Sequence, residues 1–171
     1  IKQNFRIVHI VGEHNLNNPL NIKSNNYVQK KFTYQMASLM QNCDLVISRS
    51  GAGTINELIQ TRKPSILIPY PNSKNNHQEK NAMILSSIGG AILINQDNLT
   101  KVFFEETLTR IFKVKLTKGK PNYEILELMK ENMKTTNLID LLEECHLSPM
   151  EKIRRFVITR GKHILMQSEK I

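Results

Sequence analysis

Cysteine is scarce in this chain and long apolar runs are absent from it. Cys43 and Cys145 are the two cysteines among 171 residues; they lie far apart and lack metal-ligand spacing. Neither a zinc site nor a disulfide framework is indicated, and a reducing, cytoplasmic setting is the simplest expectation. No uninterrupted apolar stretch approaches the roughly 18 to 20 residues that cross a bilayer, and the first residues carry no signal-peptide core. Internal repeats and low-complexity linkers are missing too. Negative charge is in deficit: 15 Asp plus Glu face 24 Lys plus Arg, a formal net charge of +9. That excess favours phosphates, nucleic acid or an anionic membrane face without choosing among them. Nucleic acid loses ground because no basic motif interleaved with aromatics is present. What remains, 40% hydrophobic and 23% charged residues, is the composition of a globular chain with a packed core. Its length suits one domain plus a little extra. The opening on Ile1, straight into a strand-like run, reads as a fragment of a longer product.

Hydrophobic periodicity divides the chain into alternating elements. Phe5 to Val11 is a β-branched run ended by Gly12, and Tyr27 to Phe32 is a second, weaker strand. Met36, Leu39 and Met40 have helical spacing and lead through Asp44 into a short buried strand, Leu45 to Ser48. After the turn Arg49-Ser50-Gly51-Ala52-Gly53 a helix is expected from Thr54 to about Arg62. Then come a strand Ser65 to Ile68, a loop Pro69 to Asn76, and a helix from about His77 to Ser87 that stops at Gly89-Gly90. A strand Ala91 to Ile94 and a helix Leu99 to Phe112 complete the series. Five strands separated by helices or crossover loops predict an α/β fold, a doubly wound and mainly parallel sheet. Two further helices are expected on its flank, one with Ile125, Leu128 and Met129, the other with Leu138, Leu141 and Leu142. The basic tail 147–171 is expected to be helical, with Ile153, Phe156, Val157 and Ile164 on one face.

Chemistry concentrates after the strand Leu45 to Ser48. In doubly wound sheets ligands bind where the carboxyl ends of strands lead into helix N-termini. Gly51 and Gly53 would permit positive φ and let a ligand approach the backbone, while the helix start aims unpaired N–H groups outward. An anionic group, a diphosphate above all, fits such a place. The segment is neither a Walker loop, for no Lys-Ser/Thr pair follows, nor a dinucleotide fingerprint, because Asn56 stands where the third glycine would be. Glu57 carries two readings. Thr54-Ile55-Asn56-Glu57 matches a capping box, or the carboxylate accepts ribose hydroxyls beside a diphosphate. Loop Pro69 to Asn76 with His77 and Gln78 follows the next strand, so its polar side chains should lie beside the glycine-rich turn. There they are either a solvated loop or readers of sugar hydroxyls.

Taken together, Asp44-Leu45-Val46-Ile47-Ser48-Arg49-Ser50-Gly51-Ala52-Gly53-Thr54-Ile55-Asn56-Glu57, then Pro64, Pro69-Tyr70-Pro71 and His77-Gln78-Glu79-Lys80-Asn81-Ala82, resemble the donor-binding half of the MurG family of glycosyltransferases. The resemblance runs from about Phe5 to about Leu142. It implies a Rossmann-like half of a GT-B enzyme, with residues 1–146 as a UDP-sugar donor-binding domain and 147–171 as a tail without counterpart. It also implies a hexosyltransfer reaction in peptidoglycan and cell-wall synthesis, from UDP-N-acetylglucosamine to undecaprenyl-diphosphate-linked muramyl-pentapeptide. By position, Ala52, Gly53 and Thr54 would offer backbone and hydroxyl contacts to the donor diphosphate, and Ser50 and Gly51 beside them belong to the same substrate-binding set. Glu57 would hold the ribose hydroxyls, Gln78 with His77 would meet the sugar, and Thr33 within Phe32 to Met36 would offer backbone contacts to the uracil. No metal or other cofactor is called for. The acceptor-binding domain of this family precedes the donor domain and carries its presumed base. The resemblance therefore assigns no catalytic residue here and implies a chain that is inactive without that domain. It implies a peripheral location on the inner face of the bacterial plasma membrane.

Two other readings stand beside it. One is a separate UDP-N-acetylglucosamine-binding subunit of a split transferase, as for dolichol-linked sugars. The other is a non-catalytic basic module, whose amphipathic tail docks on its own domain or on an anionic membrane surface.

Overall fold

The computed structural model describes residues 5–12, 22, 24–112, 123–135, 154–159 and 165–168. Strands β1 (Arg6–Ile10), β2 (Tyr27–Lys30), β3 (Leu45–Ser48), β4 (Ser65–Leu67) and β5 (Ala91–Leu93) alternate with helices α1 (Met36–Gln41), α2 (Ala52–Thr61), α3 (His77–Ser87) and α4 (Lys101–Phe112). Helix α5 (Glu124–Thr135) and strands β6 (Arg154–Thr159) and β7 (Leu165–Ser168) follow. The expected strands and helices are thus present over 5–112, most of them trimmed by a few residues at their ends. The helix expected around Leu138, Leu141 and Leu142 falls outside the described residues, as does Cys145. Among the described residues no helix is long and apolar enough to cross a membrane.

The strands form one sheet in the order β2-β1-β6-β3-β4-β5. Pairing is parallel between β1 and β2, β3 and β4, and β4 and β5. Every residue of β3 is buried, as expected for a strand covered on both faces in a parallel α/β sheet. Strand β6 enters between β1 and β3 and runs antiparallel to both, with Val8 and Val46 opposite Val157 from its two sides. Strand β7 pairs with β6. This corrects the helical tail: residues 154–159 are a strand. Phe156-Val157-Ile158-Thr159 is an aromatic and β-branched run, which favours a pleated strand over the amphipathic helix that its spacing also allowed.

Helix α2 buries Ala52, Ile55, Leu58 and Ile59, the i, i+3, i+6, i+7 spacing of a core-facing stripe. It ends where Arg62 adopts a left-handed conformation (φ 47°) and Lys63 N–H reaches back to Leu58 O at 3.0 Å, closing the last turn. Helix α1 packs on α2, α2 on α3, and α4 on α5. Leu126, Met129 and Met133 of α5 are buried. Its approach explains the glycine pair after α3. A Cβ at Gly90 would stand 2.7 Å from Met133 Cγ, and Gly89 has φ +71°, so both positions need the smallest residue.

At the same, amino-terminal end of the strands, Lys63 precedes β4 and is buried. Its Nζ donates to the carbonyls of Cys43 (2.6 Å) and Gln41 (3.3 Å), which end α1 and lead into β3. Burial pulls its pKa below the usual lysine value, and burial pushes the neighbouring Cys43 thiol up to about 12.

Candidate functional site

The carboxyl end of β3 runs into Arg49, Ser50 and Gly51, and α2 starts at Ala52, two residues earlier than the spacing indicated. Gly51 is its N-cap in extended conformation (φ −62°, ψ 154°), with no side-chain cap. The first intrahelical bond is Ile55 N–H to Gly51 O, 3.0 Å. The N–H groups of Ala52, Gly53 and Thr54 therefore precede the helical ladder and carry the partial positive end of the helix dipole. Positive φ is not used here, contrary to expectation: the described glycines with positive φ are Gly12 and Gly89. Gly53 faces open space, since a Cβ built on it meets no protein atom within 4 Å. An anion can approach that face of the turn directly.

Thr54 and Glu57 take meanings different from a capping box. Thr54 is the third residue of α2, so the Thr54-to-Glu57 spacing does not sit at the helix start and the reciprocal cap cannot form. Thr54 is fully buried, and its Oγ1 has no hydrogen-bond partner among the described residues. An unsatisfied buried hydroxyl costs about 1–3 kcal/mol, so a polar occupant at this helix start has something to satisfy. Glu57 lies one turn further along the same side of α2 and is half-buried.

Ser50 and Gln78 face inward rather than toward a ligand. Ser50 is fully buried; its hydroxyl donates to Gln78 O at 2.6 Å, and its carbonyl accepts from Asn81 Nδ2 at 3.1 Å. Gln78 is 1% exposed, its Oε1 accepts from Tyr70 N–H at 2.8 Å, and its own N–H donates to Ser73 Oγ at 3.3 Å. The Gln78 side-chain carbonyl is thus engaged by the protein's own loop. His77 opens α3 and is half-buried. Before it Asn75 and Asn76 both take left-handed conformations (φ 53° and 56°), which asparagine tolerates better than most residues. The structure thus brings residues 50–54 and 77–78 together through hydrogen bonds. Thr33 stands apart, beyond the end of β2 at the edge of the sheet order. Its Oγ1 accepts from Gln35 N–H at 3.1 Å, between Phe32 and the 97% exposed Tyr34, whose rings meet edge-on at 4.8 Å.

Two side chains escaped the sequence reading. Arg49 forms three hydrogen bonds across the ends of β4 and β5, to Ile68 O (3.1 Å), Pro69 O (2.9 Å) and Gln96 Oε1 (2.6 Å). Asn81 braces the glycine turn through Ser50. Both stand in the quoted motifs, Arg49 at a strand end and Asn81 one turn into α3; their partners lie 19 to 47 and 31 residues away in sequence.

Residues 1–143 match the family model of the glycosyltransferase family 28 C-terminal domain. The chain belongs to this family. This family 28 domain is 87% identical over 134 residues to a UDP-N-acetylglucosamine–N-acetylmuramyl-(pentapeptide) pyrophosphoryl-undecaprenol N-acetylglucosamine transferase of Prochlorococcus marinus (strain MIT 9515), covering 78% of this chain and 37% of that protein. The like-named protein of Prochlorococcus marinus subsp. pastoris (strain CCMP1986 / NIES-2087 / MED4) is 77% identical over 144 residues, covering 84% of this chain and 40% of its own. The family 28 domain thus spans about two fifths of the length of these relatives. Among solved structures, the crystal structure of Acinetobacter baumannii MurG aligns with a TM-score of 0.55 and 22% identity, over 70% of this chain and 35% of that one. That likeness is one of fold, and it supports the Rossmann-like α/β reading of the family 28 domain.

Proposed function

We infer that this chain is the donor-binding part of an inverting hexosyltransferase, which moves N-acetylglucosamine from UDP-N-acetylglucosamine to a lipid-linked muramyl-pentapeptide in cell-wall synthesis. The observation that carries the reading is the uncapped N-terminus of α2 at the carboxyl end of the fully buried strand β3. It presents the N–H groups of Ala52, Gly53 and Thr54, beside the buried Thr54 hydroxyl, to a diphosphate. Glu57, one turn on, accepts the ribose hydroxyls. The sugar extends toward the start of α3, where His77 and the loop 69–76 line its path. Thr33 and its aromatic neighbours serve the base. Family membership and the names of the relatives support the same donor and acceptor.

In this reading the acceptor hydroxyl, held by a part of the enzyme outside this chain, attacks the anomeric carbon. The bond from that carbon to the diphosphate oxygen breaks with inversion, and UDP departs. Negative charge grows on the leaving diphosphate, and the α2 dipole with its fixed N–H donors stabilises that charge more in the transition state than in the ground state. Proton removal from the acceptor falls to a group outside this chain. The work is placed on the cytoplasmic face of the plasma membrane, where nucleotide-sugar and lipid-linked acceptor meet.

Calorimetric titration of this chain with UDP and with UDP-N-acetylglucosamine tests the reading. Saturable binding of both is the expected result. Absence of binding to either would remove the donor site as drawn.

A further inference from the structure

Arg49 belongs to the glycine-turn motif, and its guanidinium reaches across to the ends of β4 and β5. Two of its donors go to consecutive main-chain carbonyls at the end of β4, Ile68 O and Pro69 O, and a third to Gln96 Oε1 in the turn after β5. Its Cζ also lies 5.6 Å from the centroid of the Tyr70 ring, within cation–π range. All three acceptors are uncharged, so the hydrogen bonds are charge-assisted from one side and directional.

These bonds close a circuit. Arg49 holds Pro69 O; the next residue, Tyr70, donates its N–H to Gln78 Oε1; Gln78 O accepts from Ser50 Oγ; and Ser50 is bonded covalently to Arg49. Its hydrogen bonds are linked through the neighbours Pro69 and Tyr70, through Gln78 itself and through Ser50 and Arg49, and Pro69 and Pro71 fix two φ angles in the loop it encloses. The circuit sets the distance from the glycine turn to the start of α3. Arg49 also spans two walls, Tyr70 and Gln96, of a cavity of about 220 Å³ whose other polar walls include Asn76, Glu79, Asn95 and Asp97. Amides, carboxylates and one aromatic ring around a small cavity suit a hexose hydroxyl face better than a phosphate.

We propose that Arg49 is a positioning residue that sets the sugar side of the donor site. By fixing loop 69–76 against the glycine turn, it gives the chain its preference for a nucleotide-sugar over the bare nucleotide diphosphate. The proposal rests on the donor-binding reading above. A lysine at this position keeps the charge but offers a single point donor that cannot hold three spread acceptors. Arg49→Lys should therefore fail almost as fully as Arg49→Met, whereas a purely electrostatic role would be rescued by lysine.

The test uses the full 171-residue chain and two readouts. Hydrogen exchange of the segment 69–78 should rise about 10-fold or more in both variants while α2 keeps its protection, because the local opening no longer breaks the Arg49 bonds. Calorimetry should show affinity for UDP-N-acetylglucosamine falling about 10-fold in both variants and affinity for UDP falling less than about 3-fold, the scale of a lost charge-assisted bond. Unchanged exchange over 69–78, rescue by lysine, equal losses for the two ligands, or a wild type that binds both equally would each overturn the proposal. A wild type that binds neither ligand defeats the donor reading and the preference with it, and the exchange result then decides the positioning role alone.

Discussion

Lys63 Nζ donates to the Cys43 carbonyl at 2.6 Å from a buried position, tying the entry of β4 to the end of α1 across the base of the sheet. Desolvation lowers the Lys63 pKa in the folded state. Between that lowered value and the unfolded value of about 10.4 the unfolded chain binds the proton more readily, so the Lys63 contribution to stability rises with pH across this window and is flat below it, while the raised Cys43 thiol adds a fall of its own at alkaline pH. In Lys63→Met this contribution to the rise should vanish. Urea unfolding from neutral pH to about pH 10 would show it as a stability difference, wild type minus variant, that grows with pH, and parallel trends would remove Lys63 as its source.

The Ser50 hydroxyl on Gln78 O holds two helix starts together at the carboxyl end of the sheet. Ser50→Ala leaves that carbonyl short of a donor in a buried setting and should cost about 1–2 kcal/mol of stability. Equilibrium unfolding measures it. A loss below about 0.3 kcal/mol would mean that the carbonyl finds another donor at little cost.

Gly53 lies inside α2 with open space around its Cβ direction. Gly53→Ala should stabilise the fold by about 0.5–1 kcal/mol through lower unfolded-state entropy. Affinity for UDP should stay the same, because the contribution drawn for this position is its N–H. A sharp loss of affinity would show that the ligand needs the bare backbone.

Glu57→Gln keeps the size of the side chain and removes its charge. It should weaken UDP binding about 10-fold, in line with a hydrogen bond to a charged group, and weaken 2′-deoxy-UDP binding less. Equal weakening of both nucleotides would take the ribose role from Glu57.

The register of the tail is open to a chemical test. Ser48 pairs with Arg155 and Arg6 with Thr159 in the structure. Cross-strand partners lie about 4.5–5.5 Å apart at Cα, within disulfide reach. Ser48→Cys with Arg155→Cys, and separately Arg6→Cys with Thr159→Cys, should each oxidise to an intramolecular disulfide in a Cys145→Ser background. Mass spectrometry of unreduced digests would reveal it, and failure of both pairs would remove β6 from its place.

Most of the sheet was legible because its signals are local. Leu45 to Ser48 is a short apolar run framed by Asp44 and a glycine turn, and α2 shows its buried stripe in the spacing of Ile55, Leu58 and Ile59. The tail was not, because Phe156 to Thr159 satisfies a helical stripe and a strand equally well, and the choice is made by β1 and β3, far away in sequence. At the site, motif and position found the turn, whereas the direction of each side chain did not follow from them. Ser50 and Gln78 turn inward because their partners, Gln78 O and Tyr70 N–H, are supplied by a neighbouring loop. Arg49 stood in the motif, but its role did not follow from it, because its acceptors sit on two other strand ends.

The place of β6 between β1 and β3 also bears on the time at which this fold becomes complete. The pairing of Arg6 with Thr159 joins residues more than 150 positions apart in sequence, and such distant contacts form slowly because the loop entropy precedes their reward. During synthesis, β1 with β2 and β3 with β4 and β5 can each assemble by parallel pairing, yet the edges of β1 and β3 that face each other stay open until residues 154–159 have left the ribosome. Open edges of this kind pair with other chains. Aggregation risk should therefore be greatest in nascent or truncated forms that end before Arg154, and it should fall once the last strands arrive.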